Sequence, residues 1–288
     1  MSLDERITDT SLPDNSPNKQ SPVVKGEALL SIDNLSISFG GLKAVDNLSF
    51  GVREREVFGL IGPNGAGKTT VFNCITQFYR PNAGSVRFKG INGVEELVGK
   101  PVHAVIKLGL ARTFQNVEMI KELSLVDNVL IGAHTLFKAS VFEQALTLPR
   151  ARREERTLRE KAMRALDMLG LSDRAEMTAG GQPYGVLKRV ELARALMSDP
   201  RMIILDEPAA GLNDSETVTL AETIRRLRDE SNCAILLVEH DMRLVMGVCD
   251  RICAISFGKL LAVGSPEEIR DNPLVQEAYL GEDKEVSA

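Results

Sequence analysis

Two stretches that alternate apolar and polar residues open the patterned part of the chain. In "ALLSIDNLSISFG" from Ala28 and "AVDNLSFGV" from Ala44 the alternation has the period of half-buried antiparallel strands. "EVFGLIG", ending at Gly62, is a continuous apolar run, which predicts a parallel strand buried on both faces. "KTTVFNCITQFY" from Lys68 then reads as a helix, stopped by the "RPNAG" turn, and "SVRFKG" from Ser85 as a further edge strand.

Beyond about residue 119 the period lengthens. "SLVDNVLIGAH" begins with Ser124 in an N-cap position, and the stretch from Arg150 puts Leu158, Ala162, Ala165, Leu166 and Leu169 on one stripe. This predicts a helical insertion. Its arginines between Arg150 and Arg159 are interspersed with Glu154, Glu155 and Glu160, the pattern of a solvated helix face rather than a phosphate site. A helix beginning at Pro183 follows, with Val190, Ala193 and Leu196 or Met197 on its buried side. "RMIILDEP" and "CAILLVEHD" are apolar runs ending in acidic or imidazole groups, with the helical "ETVTLAETIRRLRDE" between them. Strand, helix, strand implies a parallel sheet with polar groups at the carboxyl ends, where ligands bind. "RICAISFGKLLAVG" closes the pattern as a hairpin, followed by short helices.

The 288 residues, 43% hydrophobic, suffice for one large domain or two small ones. A net charge of -5 argues against a nucleic-acid surface. The four cysteines lie in apolar surroundings and read as packing residues, which suits a reducing compartment. No apolar run approaches the roughly 18–20 residues that span a bilayer. "MSLDERITDTSLPDNSPNKQSP" lacks the apolar core of a signal peptide, and its polar residues cannot bury surface. Residues 1–26 are therefore expected to be a disordered tail, and any membrane role to run through a partner.

"GPNGAGKTT", residues 62–70, fits G-x-x-x-x-G-K-[ST] between a predicted strand and a predicted helix. Gly62, Gly65 and Gly67 let the backbone turn its amides inward around Pro63, Asn64 and Ala66. The helix that carries Thr69 and Thr70 adds free N–H groups and a positive dipole end. Lys68 supplies a point charge for the β- and γ-phosphates, and the Thr69 hydroxyl is a magnesium ligand candidate. Asp206 at a strand end is placed to hold the metal, and Glu207 to orient or deprotonate an attacking water. His240 ends the neighbouring predicted strand and is in reach of the same phosphate. Gln115 in "ARTFQN" fits a contact to metal and water, but the residues alone allow an ordinary surface glutamine equally well.

In this order and spacing, "GPNGAGKTT", "FQ", "GVLKRVELARAL", "LDEPAAGLN" and "VEHD" resemble an ATP-binding-cassette ATPase over about residues 28–283. "FGGLKAVDNLSF", "ARTFQN", "DEPAAGLN" and "VEHDMRLVMGVCDRI" resemble more narrowly the ATPase subunits of bacterial branched-chain (hydrophobic) amino acid importers. The resemblance implies a P-loop NTPase α/β fold: a parallel-sheet core with an antiparallel β subdomain, residues 27–118 and 183–288, and a helical subdomain, residues 119–182. It implies MgATP as ligand, with Phe39 against adenine, Gln115 sensing magnesium and the membrane subunit, Asp206 and Glu207 as metal-side and catalytic acids, and His240 on the γ-phosphate. Ala210, Gly211, Leu212 and Asn213 fall in the loop that crosses the dimer interface. Implied partners are integral-membrane permease subunits, a second cassette and, indirectly, an extracytoplasmic binding protein, at the cytoplasmic face of the inner membrane. The groove near Gln115–Glu122 would receive a permease helix, with Val117, Met119 and Ile120 as apolar contacts, although core packing explains these three as well.

One motif departs from the family. Its signatures read like LSGGQ or LSYGQ, whereas residues 182–186 read "QPYGV". Gly185 keeps an amide for a γ-phosphate, but Pro183 removes the serine hydroxyl. A hydrogen bond to a charged group contributes about 1.5–3 kcal/mol, so its loss would weaken closure of that half-site roughly tenfold. The expectation is an importer ATPase paired with a non-identical cassette. The alternative is a partly degenerate regulatory subunit with little turnover of its own.

Overall fold

The computed structural model describes residues 28–113, 119–133 and 149–280. The expected tail 1–26, Gln115 and Val117 lie outside the described residues.

The alternating stretches form β1 (Ala28–Phe39) and β2 (Leu42–Arg53), antiparallel partners joined at a Gly-Gly turn. The apolar run becomes β3 (Val57–Ile61), all five residues buried, followed by the glycine loop and α1 (Lys68–Ile75). Next come β4 (Ala83–Gly90), β5 (Gly93–Glu96), α2 (Val102–Lys107) and β6 (Leu110–Arg112). The first sheet has the order β2-β1-β4-β5. β4 is thus an interior strand, not the edge strand expected. The edge belongs to β5, whose sequence "GVEE" has no apolar alternation to reveal it, since Val94 is exposed.

The helical stretch comprises α3 (Leu125–Leu130) and α4 (Pro149–Met168). Ser124 caps α3 by accepting from the Asp127 amide, as its position predicts. α4 buries Leu158, Ala162, Ala165 and Leu166, with Leu169 buried just beyond it. Arg159 pairs with Asp127 and Glu176 on the solvated side.

α5 (Tyr184–Leu196) leads into β7 (Met202–Asp206), α6 (Asp214–Ser231), β8 (Ala234–Val238) and α7 (Met242–Val248). The expected hairpin is β9 (Arg251–Ser256) with β10 (Lys259–Gly264), followed by α8 (Pro266–Arg270) and α9 (Pro273–Leu280). The second sheet has the order β10-β9-β3-β8-β7-β6, parallel throughout except for the β9–β10 pair.

Two apolar cores lie on opposite faces of this sheet. Phe58, Leu60, Met202, Ile204, Leu236 and Val238 face the first sheet and α1. Ile61, Ile203, Leu205, Ile235 and Leu237 face the helices. Period-two alternation survives inside these wholly buried strands, and it assigns Asp206 to the face of Met202 and Ile204, the side of α1. No helix among the described residues is long and apolar enough to cross a membrane.

Asn128 anchors the segment before α3. It is fully buried, its Oδ1 accepts from the Ile120 amide, and its Nδ2 donates to the carbonyls of Ile120 and Ser124. Asn128→Ala leaves the Ile120 amide without its partner and takes one of two donors from the Ile120 and Ser124 carbonyls, so unfolding in urea should show a loss of about 1–3 kcal/mol. An unchanged midpoint would mean that this segment contributes nothing to the cooperative unit.

Candidate functional site

The glycine loop follows β3 and is wedged against the β9–β10 turn and the start of β2. A Cβ on Gly62 would stand 2.2 Å from the Ile255 carbonyl oxygen. Gly67, at φ 100, would place one 2.6 Å from the Ala44 carbonyl oxygen. Backbone occupies both directions, so neither position admits a larger residue. The Ala66 carbonyl accepts from the Gly258 amide at 2.9 Å, and the Gly258 carbonyl accepts from the Asp46 amide at 2.8 Å. These bonds tie the loop to its surroundings. Pro63 is half-buried, Asn64 and Gly65 are exposed, and Ala66 is buried.

Gly67 is the N-cap of α1 and supplies no side-chain cap, and no acidic residue occupies the first turn. Free amides and the positive helix end are therefore directed at the loop's concave side. Lys68 is buried, with its Nζ donating to the carbonyls of Gly62 at 2.6 Å and Pro63 at 3.0 Å, which draws its charge into the loop. Thr69 is exposed beside it and Thr70 half-buried. Phe39 ends β1 half-exposed, its ring edge-on to Tyr79 at 5.2 Å, and together they form an aromatic pair that the sequence reading saw only in part.

Asp206 is the last residue of β7 and is buried. Desolvation raises its pKa above the usual carboxylate range, and Arg112, 3.8 Å away, only partly offsets this. Arg112 itself lies over the rings of Phe72 and Phe78 and donates to Asn73, so it joins β6 to α1. Glu207 follows at φ 46, a left-handed conformation that swings its carboxylate out of the strand alternation. Its amide donates to the Val238 carbonyl at 2.8 Å, and its own carbonyl accepts from Lys188 at 3.3 Å. His240 is exposed, with Nδ1 3.8 Å from a Glu207 carboxylate oxygen. The structure thus brings Glu207 and His240 together across the ends of β7 and β8.

Three participants had no assigned role. Glu239 is fully buried and accepts three backbone N–H bonds; its only sequence signal is an acid directly after five apolar residues. Lys188 is buried over the Tyr184 ring, and burial lowers its pKa. In a helix rich in charge it reads as a surface residue, and so does Arg112 in its strand.

The start of α5 differs from expectation. Pro183 is the N-cap, in extended conformation, and the helix begins at Tyr184. The Pro183 carbonyl accepts from the amides of Val186 and Leu187, and no side chain caps the helix. Gly185 packs against α6, where a Cβ would meet Glu216 Oε1 at 2.8 Å. Val186 is buried beside a cavity of about 60 Å³ between α5 and α6. Of the residues expected to contact a permease helix, Met119 is partly buried against the core and its sulfur accepts from Arg194, whereas Ile120 is half-exposed.

A family model described as ABC transporter matches residues 45–210, more than half of the chain. The chain belongs to the ABC transporter family. A model described as branched-chain amino acid ATP-binding cassette transporter matches residues 259–285 of this cassette. The cassette is 45% identical to the high-affinity branched-chain amino acid transport ATP-binding protein LivG of Salmonella typhimurium, over 89% of this chain and 99% of that protein. It is 46% identical to the corresponding protein BraF of Pseudomonas aeruginosa, over 88% and 98%. Among solved structures, the ADP conformation of MJ1267, an ATP-binding cassette of an ABC transporter, superposes with a TM-score of 0.75 at 29% identity, covering 88% of this chain and 99% of that one. The fold is the P-loop NTPase fold of such cassettes, and this cassette is a nucleotide-binding ATPase.

A raised acid pKa means that the folded cassette holds the Asp206 proton more tightly than the unfolded chain does. Ionised Asp206 therefore costs stability at neutral pH, and the cost disappears as pH falls through the raised value to the unfolded one near about 3.9. Asp206→Asn should raise the thermal midpoint at pH 7 in calorimetry without metal, with the gain shrinking on acidification. A lower midpoint at pH 7 would show that the Arg112 attraction, not desolvation, dominates.

Proposed function

We propose that this cassette powers an importer of branched-chain or other hydrophobic amino acids from the cytoplasmic face of the inner membrane. It would act there as a peripheral subunit held by integral-membrane permeases and served by an extracytoplasmic binding protein. The observation that carries the reading is the meeting, at the carboxyl ends of the adjacent strands β3, β8 and β7, of the phosphate loop, His240 and the acids Asp206 and Glu207. The LivG and BraF similarities supply the substrate class. In this reading residues 119–182 are the helical subdomain, and residues 27–118 with 183–288 are the ATPase core.

The loop amides of residues 62–67, Lys68 and Thr70 bind the phosphates of ATP, and Phe39 receives the adenine. Thr69, Gln115 and Asp206 would hold Mg²⁺. The donor chemistry fits: the Thr69 hydroxyl and the Asp206 carboxylate are hard oxygen ligands, and Asp206 is a buried acid whose charge desolvation disfavours. Magnesium typically takes one or two carboxylates and completes its shell with water and substrate phosphate. Bound there, it supplies charge neutralisation on the phosphates. Glu207 accepts a proton from the attacking water, and its left-handed backbone, held to Val238 and Lys188, fixes where the carboxylate stands. His240 donates to the γ-phosphate beside it.

The second nucleotide site uses the start of α5, where Gly185 offers an amide and Pro183 no hydroxyl. That asymmetry favours pairing with a non-identical cassette. It also supports, more weakly, a regulatory subunit of low turnover, but Glu207 and His240 stand together at the other half-site.

In the assembled transporter, Glu207→Gln should keep ATP affinity and lower turnover at least tenfold, with the isolated chain hydrolysing only weakly. If the equivalent change in the partner cassette abolishes turnover and Glu207→Gln here leaves it untouched, the asymmetry runs the other way. Pro183→Ser should strengthen the second site at little net stability change, because a serine cap adds about 1 kcal/mol and lost proline rigidity removes a similar amount. Adding Val186→Gln, which looks like a further restoration in sequence, places a larger amide side chain at a buried position of the helix-side core. It should lower the unfolding midpoint.

A further inference from the structure

Glu239 stands one residue beyond β8 with no exposed surface. Its Oε1 accepts from the Ala209 amide at 2.7 Å, across the gap to the loop after β7. Its Oε2 accepts from the amides of His240 at 2.9 Å and Asp241 at 3.2 Å, within its own loop. The Asp241 side chain in turn caps α7 by accepting from Arg243 and Leu244. A buried carboxylate is costly unless its lone pairs are satisfied, and here backbone N–H groups from two separate loops satisfy them. A single planar group therefore spans both loops. Neither can shift alone without breaking a charge-assisted bond in a dry environment.

The two loops carry different parts of the reaction. One holds His240, whose Nδ1 is 3.8 Å from Glu207. The other runs from Glu207 through Ala210, Gly211 and Leu212 to Asn213, the cap of α6. It is braced internally by the bonds from the Ala210 amide to the Glu207 carbonyl and from the Leu212 amide to the Ala209 carbonyl. Tyr184, at the start of α5, packs on Gly211. A displacement at His240 thus has a direct mechanical route through Glu239 to Gly211 and to the helix start that serves the second nucleotide.

We propose that Glu239 is a positioning residue that locks the histidine loop to the 207–213 loop, so that phosphate contact at His240 sets the conformation of the segment facing the opposite nucleotide site. The proposal rests on the reading of the chain as a nucleotide-driven cassette.

Glu239→Asp is the discriminating variant. Being one methylene shorter, it still reaches the amides of residues 240 and 241 but no longer spans to Ala209. Hydrogen exchange on the full chain, with and without the non-hydrolysable analogue MgAMP-PNP, reads the two loops separately. In the wild-type chain the analogue should slow exchange both at residues 65–70 and at residues 209–213. In Glu239→Asp protection at 65–70 should persist, while the nucleotide-induced protection at 209–213 should fall at least threefold. In the assembled transporter the same variant should lower kcat at least tenfold and change KM for ATP less than twofold.

Equal nucleotide-induced protection of 209–213 in variant and wild type would overturn the proposal. So would a lower thermal midpoint accompanied by unchanged kcat, since that is what a purely structural carboxylate gives. Absence of protection at 65–70 in the wild-type chain would overturn the nucleotide reading itself and this proposal with it. Glu239→Gln, which keeps the length but turns a donor toward one set of amides, should reproduce the exchange result and serves if the aspartate variant does not fold.

Discussion

The parallel register of β3, β8 and β7 is the constraint on which the site depends. Leu60 pairs with Val238, and Val238 with Asp206, so the three strands end level with one another. Gly62, Glu239 and Glu207 then leave the sheet within two residues of a common line, and each begins a loop that carries candidate site residues. A slip of one residue in β7 would turn Asp206 from the α1 side to the helical side and exchange every core contact of the strand. The apolar residues on both faces make that slip prohibitive. Burial energy across the whole sheet thereby holds a few polar groups in place.

Placing charge at the rim of such a sheet opposes stability. Asp206, Glu239, Lys188 and Arg112 are all largely withdrawn from water. Each is compensated differently: Glu239 by three amides, Lys188 by an aromatic face and a carbonyl, Arg112 by two aromatic rings and Asn73. Asp206 is the least compensated among the described residues, with a long ion pair to Arg112 and the more distant attraction of Lys188. An unfavourable carboxylate suits the metal-binding role proposed for this position, since a divalent cation would relieve its cost.

The start of α5 shows how a helix can form without a side-chain cap at its first turn. Proline at the N-cap satisfies the backbone, because its carbonyl still accepts the first helical amides. Gly185 remains necessary for a structural reason as well, since Glu216 from α6 fills the space a side chain would need. The helix is therefore well formed, with no hydroxyl at its end.

The buried strands, the glycine loop with α1, the acids after β7 and the α4 stripe were legible in the sequence, because each is written in local periodicity or in a motif whose glycines have no substitute. Local sequence also identified the departure at Pro183, although not its position at the N-cap, because helix boundaries depend on which carbonyl takes the first amide. β5 and the interior place of β4 were not legible: strand order depends on long-range pairing, and "GVEE" has no pattern to declare it. Nor were the roles of Glu239, Lys188 and Arg112, which look like surface charges until loops from distant parts of the chain close over them. Local sequence determined most of the elements and the glycine loop that opens α1. Only the tertiary structure decided which charges are buried and which loops share one carboxylate, because burial is set by neighbours that lie far away along the chain.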